Sequence, residues 1–408
     1  MRGESVQGGA TRESGVPGKV SGRIPELDGL RGIAIGMVLL FHYFDLAFQA
    51  RPGSFFAHVL TSGRLLRTGV DLFFVLSGFL IGGILLDARG STNYFQVFYT
   101  RRFFRIVPIY AVCLGIVFAL GFAVHHGLAP RFAWIFQEEL PWIPHVLFLQ
   151  NFWMAFRNSF GQLAITWSLA VEEQFYLTLP LLIRILSPRR LLYVLAAGIL
   201  AAPLLRIAMH ALWPDRYIPW FVLMPTRADA LLLGVAGAVA LRNERFLSWL
   251  ASRRGLVLGL LFPAQLVGVT FFALRSVSTF PLTSLAYTGL ALFYLSILLY
   301  ALTWRESSLS AFLRWRPLGW LGSIAYGTYL FHVLVLLSLV SIMRGSRSGI
   351  TSLADFVARM FALVLTISLC QLSWTYFEKP LVALGHRTCY VFTRPERQAA
   401  SAALAEGD

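Results

Sequence analysis

Lysine is almost missing from this 408-residue chain, occurring at Lys19 and Lys379 alone among 35 basic residues, so nearly all positive charge is arginine. Together with abundant alanine, that bias points to a GC-rich bacterial genome. Acidic residues are also scarce, 20 in all, and charged residues make up only 13% of a chain that is 57% hydrophobic. A water-soluble domain carries about 25% charge, so a soluble globular protein of this length is excluded. Cysteine appears only as Cys113, Cys370 and Cys389, in or beside apolar runs and without the spacing of a metal site or a disulfide framework. No metal is expected, and the three thiols read as packing residues. Residues 1–22 lack an apolar core, which excludes a cleavable signal peptide. No internal repeat of interrupted helices is visible, and no Gly-x-Ser-x-Gly elbow surrounds Ser77, which argues against reading it as an acyl-accepting nucleophile.

What the chain does have is long apolar runs, with a mean hydropathy of +0.66. A bilayer crossing takes about 20 residues, and runs of that kind lie at 32–50, 69–88, 106–127, 165–186, 191–212, 226–242, 255–274, 282–303, 318–343 and 353–377. The expected fold is an all-α, polytopic membrane helix bundle of about ten transmembrane helices. Arginines gather in alternate loops, at Arg89 to Arg105, Arg189 and Arg190, Arg242 to Arg254, and Arg305 to Arg316, which reads as N-in and C-in topology. The +15 net charge is therefore distributed by loop, and nucleic acid is not an expected partner. The first outer loop, with Arg51, Arg64 and Arg67, fits this pattern less well. Three segments are expected: a disordered cytoplasmic tail over 1–22, a membrane domain over 23–381, and a short cytoplasmic tail over 382–408.

Ionisable groups inside such spans are costly and mark function until shown otherwise. On the first span Arg31 and His42 are separated by eleven helical steps, about three turns, which places them on one face roughly 16 Å apart along the axis. Asp28 and Asp45 stand three residues to either side of the pair, and a carboxylate beside an imidazole fixes its tautomer and raises its basicity. Taken singly, Arg31 reads as an interfacial anchor and His42 as a helix contact; their alignment favours a site. The second span carries Asp71 near its outer end, and Ser77 with Gly78 read as a place of close helix packing. Arg101, Arg102 and Arg105 form a guanidinium fork suited to phosphates, on the same side as Arg31, although a positive-inside run needs no ligand.

Glu172 and Glu173 enter an apolar helix together but point about 100° apart, so one is expected to face a site. Glu172 aligns with Ser168 and Tyr176 and is the inward candidate; the alternative is that both are solvated at the outer interface. Arg227 and Asp229 read first as an ion pair at a helix end and second as substrate contacts. His332, with Tyr326 and Tyr329 on or near its face, reads as a packing histidine before a catalyst. Glu378 is expected to pair with basic residues at the cytoplasmic rim.

In this order the segments resemble the bacterial membrane-bound acyltransferase family 3, whose members O-acylate envelope sugars and, in some branches, macrolides. The resemblance covers residues 23–381 and rests on five features. They are the Arg31 to His42 spacing, Gly69-Val70-Asp71-Leu72-Phe73-Phe74-Val75-Leu76-Ser77-Gly78-Phe79, Arg101-Arg102-x-x-Arg105, Trp167-Ser168-Leu169 with Glu172-Glu173-Gln174-Phe175-Tyr176, and Tyr376-Phe377-Glu378-Lys379-Pro380. It implies an acyl donor such as acetyl-CoA on the cytoplasmic side, an essential Arg31 and His42, and a donor site near Arg101, Arg102 and Arg105. The late family motif, Ser-Tyr before a His-x-Pro, stands here as Ala325-Tyr326 and His332-Val333-Leu334, which weakens a direct role for His332. Many relatives add a C-terminal SGNH hydrolase-like domain, which is not expected here after the short C-terminal tail. Transfer is then expected to finish within the membrane domain, in the bacterial cytoplasmic membrane.

The expected reaction moves an acyl group, by default acetyl, from acyl-CoA to a hydroxyl of a glycan or glycoside. His42 serves as general base, Arg31 and Glu172 complete the catalytic set, and the arginines hold the donor phosphates. The rival reading is a transporter or flippase, with Arg31, His42 and Glu172 as a proton or substrate path.

Overall fold

A computed structural model describes residues 24–45, 64–138, 141–257, 282–345 and 352–392, with a few isolated positions between them. In chain order the helices are α1 (Pro25–Leu40), α2 (Gly69–Ala88), α3 (Tyr94–His125), α4 (Trp142–Val146), α5 (Gln150–Arg157), α6 (Thr166–Ile185), α7 (Pro188–Leu212) and α8 (Tyr217–Val222). They continue as α9 (Met224–Ala240), α10 (Glu244–Ala251), α11 (Leu282–Thr303), α12 (Ser308–Leu313), α13 (Arg316–Ser323), α14 (Ala325–Arg344), α15 (Leu353–Ser373) and α16 (Lys379–His386). Among the described residues eight helical stretches are long and apolar enough to cross a membrane. Helix α6, interrupted by its two glutamates, adds a 20-residue helix of spanning length. The expected span over 255–274 lies almost wholly outside the described residues.

Three expected boundaries shift, each for a physical reason. The first helix starts at Pro25 rather than near residue 32, since proline at the first helical position sacrifices no intrahelical hydrogen bond; Arg31 consequently sits within a formed helix. The run over 318–343 is two helices, α13 and α14, broken at Ile324, whose bridge-region backbone (φ −94°, ψ 3°) interrupts the ladder. The third change concerns α1 itself, which passes at Phe41–Asp45 into a π-helical turn. Such a turn is wider than an α turn, so Arg31 and His42 do not lie along one straight α-helical face.

Helix α2 packs most extensively against α9, and α1 against α13. Both crossings rely on missing side chains. A Cβ on Gly78 would overlap the Leu231 carbonyl oxygen, and one on Gly32 would overlap the Leu318 carbonyl oxygen. Where lipid surrounds a bundle, small residues let backbones approach and packing replaces the hydrophobic drive. The core gathers around Leu30, Leu76, Phe79, Val171, Leu231 and Leu298, all buried. Large apolar side chains such as Phe122, Leu181, Tyr193, Leu204 and Val364 face outward, as a lipid-facing surface requires.

Candidate active site

Charged and polar side chains that a lipid-exposed helix would exclude are collected inside the bundle in three tiers. The first lies between α1, α2, α3 and α6. Arg31 has Asp28, Arg102, Tyr176 and Glu172 as its electrostatic neighbours. Arg105 has Arg31, Arg102, Glu378 and Tyr326 as its own, and its guanidinium stands over the Trp374 ring, 5.4 Å from the centroid. Arg102 stands 5.6 Å over the Tyr176 ring. Three arginines from two helices therefore converge. Their mutual repulsion is offset in part by Glu172, which neighbours Arg31 and Arg102 and lies against the Ser77 and Tyr176 hydroxyls. Ser77 and Tyr176 also bond each other.

Ser77 thus does more than allow close packing, a role that falls to Gly78 beside it. The expectation that only one of the paired glutamates turns inward does not hold. Glu173 is also enclosed, with Oε1 buried and without a partner, and it acts electrostatically on Tyr110 and Tyr326. Convergence of α2, α3 and α14 around this stretch of α6 gives both directions a protein neighbour. Gln174 anchors the helix from its next position, donating to the Phe148 carbonyl at 2.9 Å and exchanging amide hydrogen bonds with Asn151.

Arg101 is placed differently from its two companions. Its guanidinium donates to the Thr388 carbonyl at 3.2 and 2.7 Å and lies 5.2 Å over the Tyr390 ring. Asn93 holds the same C-terminal strap, donating to the Cys389 carbonyl and accepting from the Val391 amide. Cys389 is exposed, whereas Cys113 and Cys370 are buried; the reading of all three as packing residues fails for Cys389 because the strap lies on the surface. Glu378, on a π-helical turn after α15, is buried. It accepts from Ser373 Oγ at 3.1 Å and sits against Gly327, with Arg105 as its basic neighbour.

The second tier holds the histidines. His42 and His332 meet edge to face with ring centroids 4.7 Å apart. His42 Nδ1 lies 2.9 Å from the Val38 carbonyl and His332 Nδ1 lies 2.7 Å from the Tyr329 carbonyl. A carbonyl only accepts, so each Nδ1 carries a hydrogen, and Nε2 is the nitrogen that holds the lone pair in the neutral ring. His332 Nε2 is buried without a partner. Tyr43 braces the pair, its hydroxyl donating to the His332 carbonyl at 2.9 Å and sharing a 2.6 Å hydrogen bond with Thr366. Tyr329 links the tiers: its hydroxyl bonds Ser168 at 2.6 Å and the Ile165 carbonyl at 2.9 Å, and Glu172 acts on it electrostatically. The Asp45 side chain, expected to orient His42, lies outside the described residues.

The third tier corrects the expected Arg227–Asp229 pair. Residues two apart on a helix point in nearly opposite directions, and each finds a partner elsewhere. Arg227 bonds Asp71 of α2, while Asp229 bonds Arg206 of α7 at 2.8 Å. Thr288 Oγ1 donates to the same Asp229 oxygen at 2.6 Å. Arg227 is also packed among rings, 4.1 Å from the Tyr287 centroid and under 6 Å from those of Phe74, Trp167 and Phe221. Arg206 is fully buried. The sequence reading did not single out Arg206, although an arginine inside an apolar run is a signal that could have found it; Tyr43, Thr366 and Trp374 carried no such signal.

Among the described residues no group of His, Cys, Asp and Glu could hold a metal ion. The first tier instead offers fixed positive charge flanked by aromatic faces, suited to a phosphate-bearing ligand. The second offers an unprotonated imidazole nitrogen.

An acyltransferase domain family model matches residues 24–375. The chain is 29% identical over 391 residues to a putative peptidoglycan O-acetyltransferase, YrhL, of Bacillus subtilis, covering 90% of this chain and 56% of that protein. It is 28% identical over 378 residues to the peptidoglycan O-acetyltransferase OatA of Listeria monocytogenes, covering 88% and 56%. To the O-acetyltransferase OatA of Staphylococcus aureus it is 26% identical over 404 residues, covering 93% and 61%. The chain therefore spans a little over half the length of these curated relatives. No solved structure matches it. With the family model covering most of the helical bundle and its interior tiers, the chain belongs to the acyltransferase 3 family as a multi-pass membrane protein.

Proposed function

We propose that this protein transfers an acetyl group from acetyl-CoA, presented from the cytoplasm, to a hydroxyl of a cell-envelope glycan. Both ends of its bundle would lie on the cytoplasmic side of a bacterial inner membrane. The observation that carries the reading is the convergence of Arg31, Arg102 and Arg105 in the same bundle interior as the paired His42 and His332 rings.

The three guanidiniums bind the donor phosphates, with Trp374 and Tyr176 holding two of them in place by their ring faces. Glu172, tied to Ser77 and Tyr176, keeps the arginines from turning away. His42, its Nδ1 proton committed to the Val38 carbonyl, accepts the proton of the acceptor hydroxyl at Nε2. The hydroxyl oxygen attacks the thioester carbonyl, the carbon–sulfur bond breaks, and the departing thiolate takes the proton that His42 received. A positioned base of this kind contributes about 10²–10⁴-fold. Peptidoglycan is the first acceptor to try, since two of the relatives bear that activity in their names.

The test is transfer of radiolabelled acetyl from acetyl-CoA into membrane glycans by the wild type and His42→Ala at matched expression, with free-thiol release measured alongside. Label and thiol with the wild type alone support the reading. Equal label in both removes His42 from the chemistry, and neither label nor thiol from the wild type overturns acetyl-CoA as the donor and leaves a different donor, or transport, as the next reading to test.

A further inference from the structure

His332 is fully buried on α14, whereas His42, in the π-helical turn that ends α1, is partly exposed. Substrate therefore meets the second tier at His42, and the acetyl-transfer step leaves His332 without a task. The Nδ1 hydrogen of His332 is committed to the Tyr329 carbonyl at 2.7 Å, and its Nε2 is enclosed and, among the described residues, without a partner. An unpaired buried acceptor costs stability, and a leucine or phenylalanine would fill the space without that cost. Packing alone gives no reason for a nitrogen there.

The neighbouring ring supplies one. His42 stands against His332 edge to face, with centroids 4.7 Å apart and planes inclined at 72°. Three elements hold this arrangement. Tyr43, next after His42 on the π-helical turn, donates its hydroxyl to the His332 carbonyl at 2.9 Å, so the turn that carries one ring is bonded to the residue that carries the other. The same hydroxyl shares a 2.6 Å hydrogen bond with Thr366 of α15, and Arg359 of α15 donates to the Tyr43 carbonyl at 3.3 Å. His42 itself is fixed by its 2.9 Å bond to the Val38 carbonyl. Turning either ring breaks its Nδ1 bond, and separating the two breaks the Tyr43 bond.

The contact between the rings changes character during transfer. While both are neutral it is an ordinary aromatic contact. Once His42 has taken the proton of the acceptor hydroxyl, a cation faces an imidazole that offers the electron density of its ring face and the lone pair of Nε2. In an interior that solvates charge poorly, a neutral acceptor beside that cation is worth more than it would be in water. Two imidazoliums in contact would repel, and only His42 meets substrate, so the proton enters and leaves there.

We infer that His332 is a positioning residue for acetyl transfer, aiming the His42 ring and steadying the imidazolium that forms on it while taking no proton itself. The proton passes from the hydroxyl to His42 Nε2 and on to the departing thiolate, so the balance of the reaction is unchanged. The inference rests on the acetyl-transfer reading above and deepens it by giving His42 a partner.

Membranes holding the full-length protein at matched expression, given radiolabelled acetyl-CoA over a range of concentrations, test it with two substitutions. His332→Phe keeps a ring of similar shape without nitrogen, and His332→Gln returns an acceptor oxygen near the position of Nε2. In His332→Phe kcat is expected to fall about ten- to a hundredfold, the worth of one contact to a charged group, while the acetyl-CoA KM stays at the wild-type value. His332→Gln is expected to recover most of that loss. A His332→Phe variant that turns over like the wild type overturns the inference and leaves the ring a packing role. A loss that appears in the acetyl-CoA KM instead of kcat, or an equal loss in both variants at the wild-type thermal midpoint, also overturns it. If His332→Phe fails to fold, His332→Asn keeps a donor for the Tyr329 carbonyl, has no atom at Nε2, and is judged by the same comparison with His332→Gln. A wild type that transfers no acetyl overturns the reading and this inference together, whereas an active wild type with an equally active His332→Phe overturns the inference alone.

Discussion

At the residue scale, neighbouring arginines of one short run have different work. Arg102 and Arg105 turn into the bundle toward Arg31, while Arg101 is spent on the Thr388 carbonyl and the Tyr390 ring. Arg102→Gln is therefore expected to raise the acetyl-CoA KM about tenfold or more, the loss of a charge-assisted contact. Arg101→Gln is expected to move it by less than threefold, a difference that steady-state thiol release with the two variants will read. The buried pair Arg206–Asp229 makes a separate prediction. Removing one partner strands the other in a medium that cannot solvate it, at a cost of about 3–5 kcal/mol. Asp229→Ala should lower the thermal midpoint in detergent markedly, and the double change Arg206→Met with Asp229→Leu should restore much of it. A single variant as stable as the wild type would mean that Arg206 reaches solvent or lipid headgroups after all.

At the element scale, helix contacts are set by what two backbones tolerate. Gly78 and Gly234 face each other across α2 and α9, where a Cβ on either would overlap backbone of the other helix. Gly78→Val should cost on the order of 2 kcal/mol or more through forced separation. It should also weaken catalysis, because Ser77 beside it holds Tyr176 and Glu172; thermal unfolding and acetyl transfer measured on the same sample check both. The π-helical turn at Phe41–Asp45 is the other decisive local feature. It re-aims His42 toward His332 at the end of a helix whose earlier turns place Arg31 against α3 and α6. Turns of this kind recur at functional sites because one additional residue per turn redirects a side chain without breaking the helix.

At the scale of the whole molecule, Cys389 lies exposed on the C-terminal strap and Cys113 and Cys370 are buried. The proposed cytoplasmic location of both bundle ends then has a direct test with native residues. A membrane-impermeant maleimide should label Cys389 in inside-out vesicles and leave intact spheroplasts unlabelled; the reverse pattern would place the arginine tier on the outer face and exclude cytoplasmic acetyl-CoA as donor.

The sequence by itself determined that this is a helical membrane protein, because 13% charge and repeated apolar runs leave no other fold that satisfies its backbone. It also singled out Arg31, His42, Arg102, Arg105 and Glu172, since an ionisable group in an apolar run stands out whatever surrounds it. Only the tertiary structure decided which charges meet. Asp71 pairs with Arg227 from a helix 156 residues away, and His42 meets a histidine 290 positions on, distances along the chain that no local periodicity reports. Glu173 shows why the remainder was hidden: its inward placement depends on the three helices that close around α6, and helix geometry alone fixes only the angle to Glu172.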